Sequence, residues 1–397
     1  LGLTSIKLEL LVGLLAVVGL VASVWWIWPR LSARTWPAVA GRLVVLVGNQ
    51  MLTLATLGLV LNNYFGFYGT WEDLLGTGGG QTSAPIVADP AAPGAQAPAL
   101  RPAGGVQVIG TTHVPLASGG RSDAGGRLQE VVISGATSRL SSPAFVYLPP
   151  QYFEERYANT RFPVIVALTG YPGDARNLVT RMNMPFVAAK AIAGNEMAPS
   201  IMVLMRPTVA PPRDTECVDV PRGPQAETYF TKDLKDAMAS GFRVGTDAAS
   251  WGILGASTGG YCALKISMRH PEAYSAAVSL SGYLRPPIDA TTGDLFGGSR
   301  RLMRENDMMW RLIHLPHPPI SVLLTSSQKG ESNYKMTLDF LAAVRPPMRA
   351  SSLILPSGGH NFNTWSREVP QALPWLARQL RTPAQDVPIE PAPSPSS

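Results

Sequence analysis

Cysteine and charge are both scarce in this sequence. The two cysteines, Cys217 and Cys262, exclude a disulfide-dense miniprotein and a Cys-rich zinc or iron–sulfur domain. Charged residues make up 15% of the 397, against roughly 25% in ordinary soluble domains, so part of the chain avoids charge. Lys and Arg number 33 against 27 Asp and Glu, a net charge of +6 that is too small and too scattered for a nucleic-acid face. The five histidines are dispersed, and neither H-E-x-x-H nor a Cys-pair spacing occurs, so no metal site and no cofactor are expected. The run TGGGQ lacks the Lys-Ser/Thr ending of a phosphate loop and follows no strand. Glycine (38) and proline (36) show no G-x-y period, which excludes collagen.

What avoids charge is the N-terminal region. No charged residue occurs from Leu10 to Trp28, a stretch that ends in Trp25, Trp26 and Trp28. A second such run begins at Leu43 and leads into Tyr64, Phe65, Phe67, Tyr68 and Trp71, an aromatic belt suited to lipid headgroups. At 1.5 Å per residue each run is long enough to cross a bilayer. Two membrane helices, at about 6–28 and 43–65, are therefore expected to form a hairpin. Lys7 and Glu9 sit at the outer end of the first. The connection carries Arg30, Arg34 and Arg42, whereas Glu72, Asp73 and Asp89 precede the next basic residue, Arg101. The positive-inside rule places the arginines in the cytoplasm and everything after Trp71 on the far side of the cell membrane. The chain opens on Leu1 rather than Met, which fits an upstream piece.

Residues 76–105 are rich in Gly, Pro and Ala, with too few large apolar side chains to offset chain entropy, and read as a flexible linker. Residues 382–397 read as a disordered tail for the same reason. Between them, 106–381 form the expected catalytic domain. Eight short runs (LQEVVISG, AFVYLPP, PVIVALTG, SIMVLMRP, WGILGAS, YSAAVSLSG, ISVLLTS and SLILPSGG) have strand character, and helical stretches separate the later ones. Two early strands followed by β-α units predict a mostly parallel sheet with helices on both faces and a site beyond the carboxyl ends of its strands.

The strongest local motif is G-x-S-x-G at Gly255–Gly259, between a strand and a helix, the setting of a nucleophile elbow at Ser257. A serine hydroxyl needs a base, and a later histidine is required if the order is Ser, acid, His. His113 precedes the expected sheet, His270 reads as a helix cap, and His314 and His317 lie in a Pro-rich loop. That leaves His360, in the loop PSGGHNFNTW after a strand. Of the carboxylates between Ser257 and His360, only Glu331 stands in the loop directly after ISVLLTSSQKG; Asp339, two helical turns further, is the reserve. For an oxyanion the amide of Thr258 is one candidate donor. Tyr171 is the other, in the loop after PVIVAL, where Pro172 has no N–H.

Ser257 in GASTGG, the run RHPEAYSAAVSLSG and GGHNFNTW around His360 resemble the esterase D-type α/β-hydrolases, in particular the branch containing the actinobacterial mycolyltransferases. The resemblance covers residues 125–381 and includes an acid some thirty residues before the histidine. It implies an α/β-hydrolase fold and a Ser-Glu-His triad, which favours Glu331. It also implies acyl transfer through an acyl-enzyme; in that branch a secreted domain moves mycolate between trehalose esters. Here two membrane spans stand in place of a cleaved signal peptide.

Cys262 lies five residues after Ser257, and Cys217 sits in the loop RDTECVDVP, expected to cross the same end of the sheet. A bridge between them would persist outside the membrane; two unpaired thiols are the alternative. Arg206, Arg213, Asp214 and Asp219 around that loop read equally as a polar acceptor pocket or as solvated charge. The expected function is a multi-pass, membrane-anchored, extracytoplasmic serine esterase or acyltransferase acting on an ester of a lipid-like or cell-envelope substrate. The competing reading is a catalytically silent hydrolase fold used for envelope binding or scaffolding.

Overall fold

A computed structural model describes residues 2–3, 5–65, 71, 74, 104–116 and 124–382. Residues 76–103 of the expected linker, 383–397 of the expected tail, and Phe67 and Tyr68 of the expected aromatic belt lie outside the described residues. The described chain falls into an N-terminal helical unit and a sheet unit.

In the first unit two helices, Ile6–Arg30 and Trp36–Asn63, are long and apolar enough to cross a membrane. The second starts seven residues before the expected 43. A charge at Arg42 ends an apolar run without ending a helix, and Pro37 in the first turn forfeits no intrahelical bond. The first helix widens to a π-turn at Ser23–Ile27, just before Pro29. Ser23 donates its hydroxyl to the Gly19 carbonyl (2.6 Å) and accepts from Asn49 of the second helix (2.7 Å). At the other end of the pair Asn63 donates to the Glu9 carboxylate (2.5 Å), which gives that lone acid a partner.

The second unit is built on one sheet of nine strands: β1 Gly105–His113, β2 Arg127–Ser134, β3 Ser141–Leu148, β4 Val164–Leu168, β5 Ile201–Met205, β6 Trp251–Ala256, β7 Ala276–Leu280, β8 Ser321–Ser327 and β9 Arg349–Leu355. Their order is β1-β2-β3-β5-β4-β6-β7-β8-β9. The first three are an antiparallel meander joined to β5, and every pair from β5 to β9 is parallel. All eight runs with strand character are strands. The ninth, β1, is a correction: it begins within the expected linker, and His113 is its last residue rather than a residue before the sheet. As an edge strand it is largely exposed, with an irregularity between Val108 and Gly110, so it carries no clean two-residue apolar alternation.

The central strands are covered on both faces, which is why they read as unbroken apolar runs. On β4, Val164, Val166 and Leu168 join one hydrophobic cluster, with the helices Leu234–Gly241, Thr258–Arg269 and Tyr334–Ala343. Ile165 and Ala167 point the other way, into a cluster with the helices Met184–Ala193 and Phe362–Gln379. Each fully buried aliphatic side chain here contributes about 1.5–3 kcal/mol. Cys217 and Cys262 form a disulfide, with Cα atoms 5.7 Å apart, that ties the loop after β5 to the helix after β6.

Candidate active site

The carboxyl ends of the parallel strands converge on one region. Ser257 follows β6 directly and sits at φ 55°, ψ −119°, in the sharp turn before the Thr258–Arg269 helix. That helix can descend onto the end of β4 because Gly259 has no side chain: a Cβ there would collide with the carbonyl oxygens of Leu168 (2.6 Å) and Thr169. Gly170 plays the same part from the neighbouring loop, since a Cβ on it would lie 3.0 Å from that of Ser257. The loop carrying Tyr171 is thereby brought against the elbow, and the Tyr171 hydroxyl donates to the Pro212 carbonyl (3.3 Å).

His360 Nε2 stands 2.8 Å from Ser257 Oγ. For the serine to donate, Nε2 must be unprotonated and the ring proton must sit on Nδ1. Nδ1 faces Glu331 Oε1 at 4.0 Å, an ion-pair rather than a hydrogen-bond separation. The Glu331 side chain is 1% exposed, and neither of its oxygens has a hydrogen-bond partner among the described residues. Such contacts are commonly long in unliganded sites and tighten as the reaction proceeds. Burial pushes the His360 imidazole below its ordinary value, and the Glu331 charge opposes that shift.

Local bonds fix both loops. Gly358 N–H donates to the Lys329 carbonyl (3.0 Å), joining the His360 loop to the Glu331 loop. Gly359 N–H donates to Thr364 Oγ1 (2.9 Å), and Asn361 caps the last helix by accepting from Thr364 N–H (3.2 Å). Trp365 meets the His360 ring edge to face at 5.2 Å. The histidine is therefore held by the start of that helix.

Three of the other histidines, His270, His314 and His317, have structural partners. His270 ends the Thr258–Arg269 helix and lies 2.7 Å from Glu227 and 2.9 Å from Glu272. His314 contacts the Trp310 carbonyl, and His317 accepts from Arg345 N–H (2.8 Å). Asp339, the reserve acid, pairs with Lys335 at 2.7 Å on an exposed helix face. Around the Cys217 loop, burial overturns the solvated-charge reading for Asp214. Asp214 is buried and accepts from Glu216 N–H, while Asp219 accepts from Thr228 N–H and Oγ1. Arg213 donates to the carbonyls of Thr292 and Asp294, both at 2.8 Å.

Three groups escaped the sequence reading. Glu368, fully buried, accepts from Thr325 Oγ1 (2.8 Å), and burial pushes its carboxyl up to about 8, helped by the nearby Glu331 charge. Glu216 and Tyr283 are the others: the Tyr283 hydroxyl contacts both the Glu216 carboxyl and Thr258 Oγ1. A signal existed for Glu368, because it falls within the apolar stripe Trp365, Val369, Ala372, Leu376. None existed for the Glu216–Tyr283 pair.

A family model named Esterase, described as putative esterase, matches residues 139–376. A curated relative, an uncharacterized protein of Corynebacterium glutamicum, is 26% identical over 270 residues, which cover 64% of this chain and 62% of that protein. The chain thus spans less than two thirds of that relative's length. Among solved structures, a ferulic acid esterase has a TM-score of 0.54 at 18% identity, covering 64% of this chain and 98% of its own. An S-formylglutathione hydrolase from Agrobacterium tumefaciens has a TM-score of 0.53 at 16% identity, covering 69% and 99%. A fluorophosphonate-binding serine hydrolase of Staphylococcus aureus has a TM-score of 0.52 at 15% identity, covering 63% and 98%. At these identities the likeness is one of fold, and the fold is that of the α/β-hydrolases.

Proposed function

The chain belongs to the Esterase family, and on that premise we propose that it is a membrane-anchored serine esterase or acyltransferase whose active site faces away from the cytoplasm. The observation that carries this reading is the 2.8 Å contact between His360 Nε2 and Ser257 Oγ, made on a strained elbow with a buried carboxylate behind the ring. Ser257 Oγ attacks an ester carbonyl while its proton passes to His360 Nε2. The oxyanion that forms accepts from the amides of Thr258 and Tyr171. Glu331 orients the imidazole and stabilises its positive charge. The imidazolium then protonates the departing alkoxide, which leaves an acyl-Ser257 ester. Water or a second hydroxyl attacks that ester and gives its proton to His360, which returns it to Ser257 Oγ as the acyl group leaves as an acid or a new ester.

Support for the location comes from charge and redox chemistry. Arg30, Arg34 and Arg42 cluster around the connection between the two apolar helices, the arrangement that holds a loop in the cytoplasm. The Cys217–Cys262 disulfide is suited to an oxidising compartment. A domain tethered there has lipid-like and envelope esters as its nearest acyl donors.

The test uses the full chain in detergent micelles with a fluorophosphonate probe and short p-nitrophenyl esters, beside Ser257→Ala. Labelling and turnover that vanish in the variant are the expected result. A folded wild-type chain that neither labels nor turns over would overturn the reading and favour a silent binding module.

A further inference from the structure

Thr258 begins the nucleophile helix, and its side chain is tied to a chain of polar groups that the reaction scheme leaves unused. Tyr283 Oη lies 3.0 Å from Thr258 Oγ1 and 2.5 and 2.7 Å from the two carboxyl oxygens of Glu216. Glu216 is 1% exposed. The Tyr283 ring stacks on Tyr261 (5.1 Å between centroids), one helical turn after Thr258, and Tyr261 in turn donates its hydroxyl to the Asn306 carbonyl (2.8 Å).

The segment bearing Glu216 is fastened to the same helix. Cys217 is bonded to Cys262, which stands four residues after Thr258 and so lies on the same helix face. The Cys217 carbonyl accepts from the buried Lys265 ammonium, a further turn along. Glu216 and Cys217 both take left-handed backbone conformations, at φ 48° and 53°, which ordinary residues hold only when their surroundings impose them. Asp214 contributes by accepting from Glu216 N–H (3.0 Å).

We propose that Glu216 and Tyr283 are positioning residues that hold Thr258, and with it the oxyanion-binding amide, in register with Ser257. The inference rests on the reading of Ser257 as nucleophile. Tyr283 has one hydroxyl proton and three oxygens around it, so it can donate to Thr258 only if Glu216 keeps its own proton. Burial, with Asp214 adding to it, pushes the Glu216 carboxyl up to about 9, which meets that condition at neutral pH. Glu216 then donates to Tyr283, and Tyr283 donates to Thr258. The Thr258 side chain becomes fixed, and with it the direction of the first amide of the helix. A neutral Glu216 also leaves no negative charge close to the developing oxyanion.

Two variants break the chain from opposite ends. Tyr283→Phe removes the donor and keeps the aromatic stack; Thr258→Ala removes the acceptor and leaves Tyr283 untouched. In the full chain in micelles, each is expected to lower kcat about 10- to 100-fold with KM changed less than threefold, as a displaced oxyanion donor requires. The double variant should be no slower than the worse single variant, because both act through one group. Glu216→Gln, whose amide also donates to Tyr283, should retain most of the activity that Glu216→Leu loses. Either single variant keeping kcat within twofold, while Ser257→Ala is inactive, overturns this proposal and leaves the nucleophile standing. An active Ser257→Ala overturns both.

Discussion

Replacing Glu331 with Gln tests the proposed triad at its longest contact. The carboxylate lies 4.0 Å from His360 Nδ1 and is 1% exposed, so its charge acts on the ring from inside the protein. At an effective dielectric of about 20, two unit charges at that separation attract by about 4 kcal/mol. The His360 side chain is 51% exposed, and solvent screening on that side leaves about 2–3 kcal/mol for stabilising the imidazolium. At 1.36 kcal/mol per decade this amounts to a loss of about 30- to 150-fold in kcat. The side-chain volume is unchanged, so stability should vary little. A second signature accompanies the first. The Glu331 charge raises the basicity of His360, so its removal lowers the histidine pKa further and moves the acid limb of kcat/KM to lower pH. The assay is p-nitrophenyl ester hydrolysis by the full chain in micelles across pH 4–9. Asp339→Asn is the control, because that acid pairs with Lys335 on the surface and should leave kcat unchanged. Glu331→Gln retaining kcat within threefold of wild type, or the loss appearing in Asp339→Asn instead, would refute the assignment.

Three further outcomes follow from the packing around the site. Glu368 is held protonated, with its carboxyl pushed up to about 8, so the folded state binds its proton more tightly than the unfolded chain does. Stability gained from that proton is fully present at low pH and is lost as pH rises from about 4.3 through about 8; Glu368→Gln should therefore shrink the fall in Tm between pH 5 and pH 8, and an unchanged fall would sink the assignment. Gly259→Ala places a methyl group against two backbone carbonyls at the end of β4 and should cost about 1–3 kcal/mol, seen as a lower urea midpoint together with lost ester turnover; a wild-type midpoint would show that the close approach does not exist. Cys217→Ser with Cys262→Ser opens a loop spanning 45 residues, and the chain-entropy model gives a loss of about 4 kcal/mol, measurable as a lower Tm that matches the reduced wild type. Equal Tm values for oxidised and reduced wild type would argue against that contribution.

The parts of the molecule legible in the sequence are those where one short segment carries its own signal. Strands β4, β6, β7 and β8 are buried on both faces and show as continuous apolar runs. Ser257 announces itself because the close crossing of β4 and the Thr258–Arg269 helix demands glycines at fixed offsets, and His360 because a Gly-rich loop follows a strand. Strand β1 was not legible: Val108 and Ile109 are both about half exposed, and only pairing with β2 makes the segment a strand. The start of the second apolar helix was not legible either: the uncharged run begins at Leu43, but the helix begins at Trp36 and takes Arg42 into its second turn. Glu216 and Tyr283 belong to separate loops, 67 residues apart, and their meeting depends on how both pack over the Thr258–Arg269 helix. Such a contact is a property of the assembled fold and leaves no local pattern.

At φ 55° and ψ −119° the backbone of Ser257 occupies a region that costs an ordinary residue about 1–3 kcal/mol and glycine very little. A mutation to glycine at this codon therefore produces a chain that folds more stably and lacks the proposed nucleophile. Selection for folding and selection for turnover pull in opposite directions at this one residue. A serine persists here only while its chemistry is worth more to the cell than the stability it forgoes, so glycine at this position marks a lineage that has kept the scaffold and abandoned the reaction.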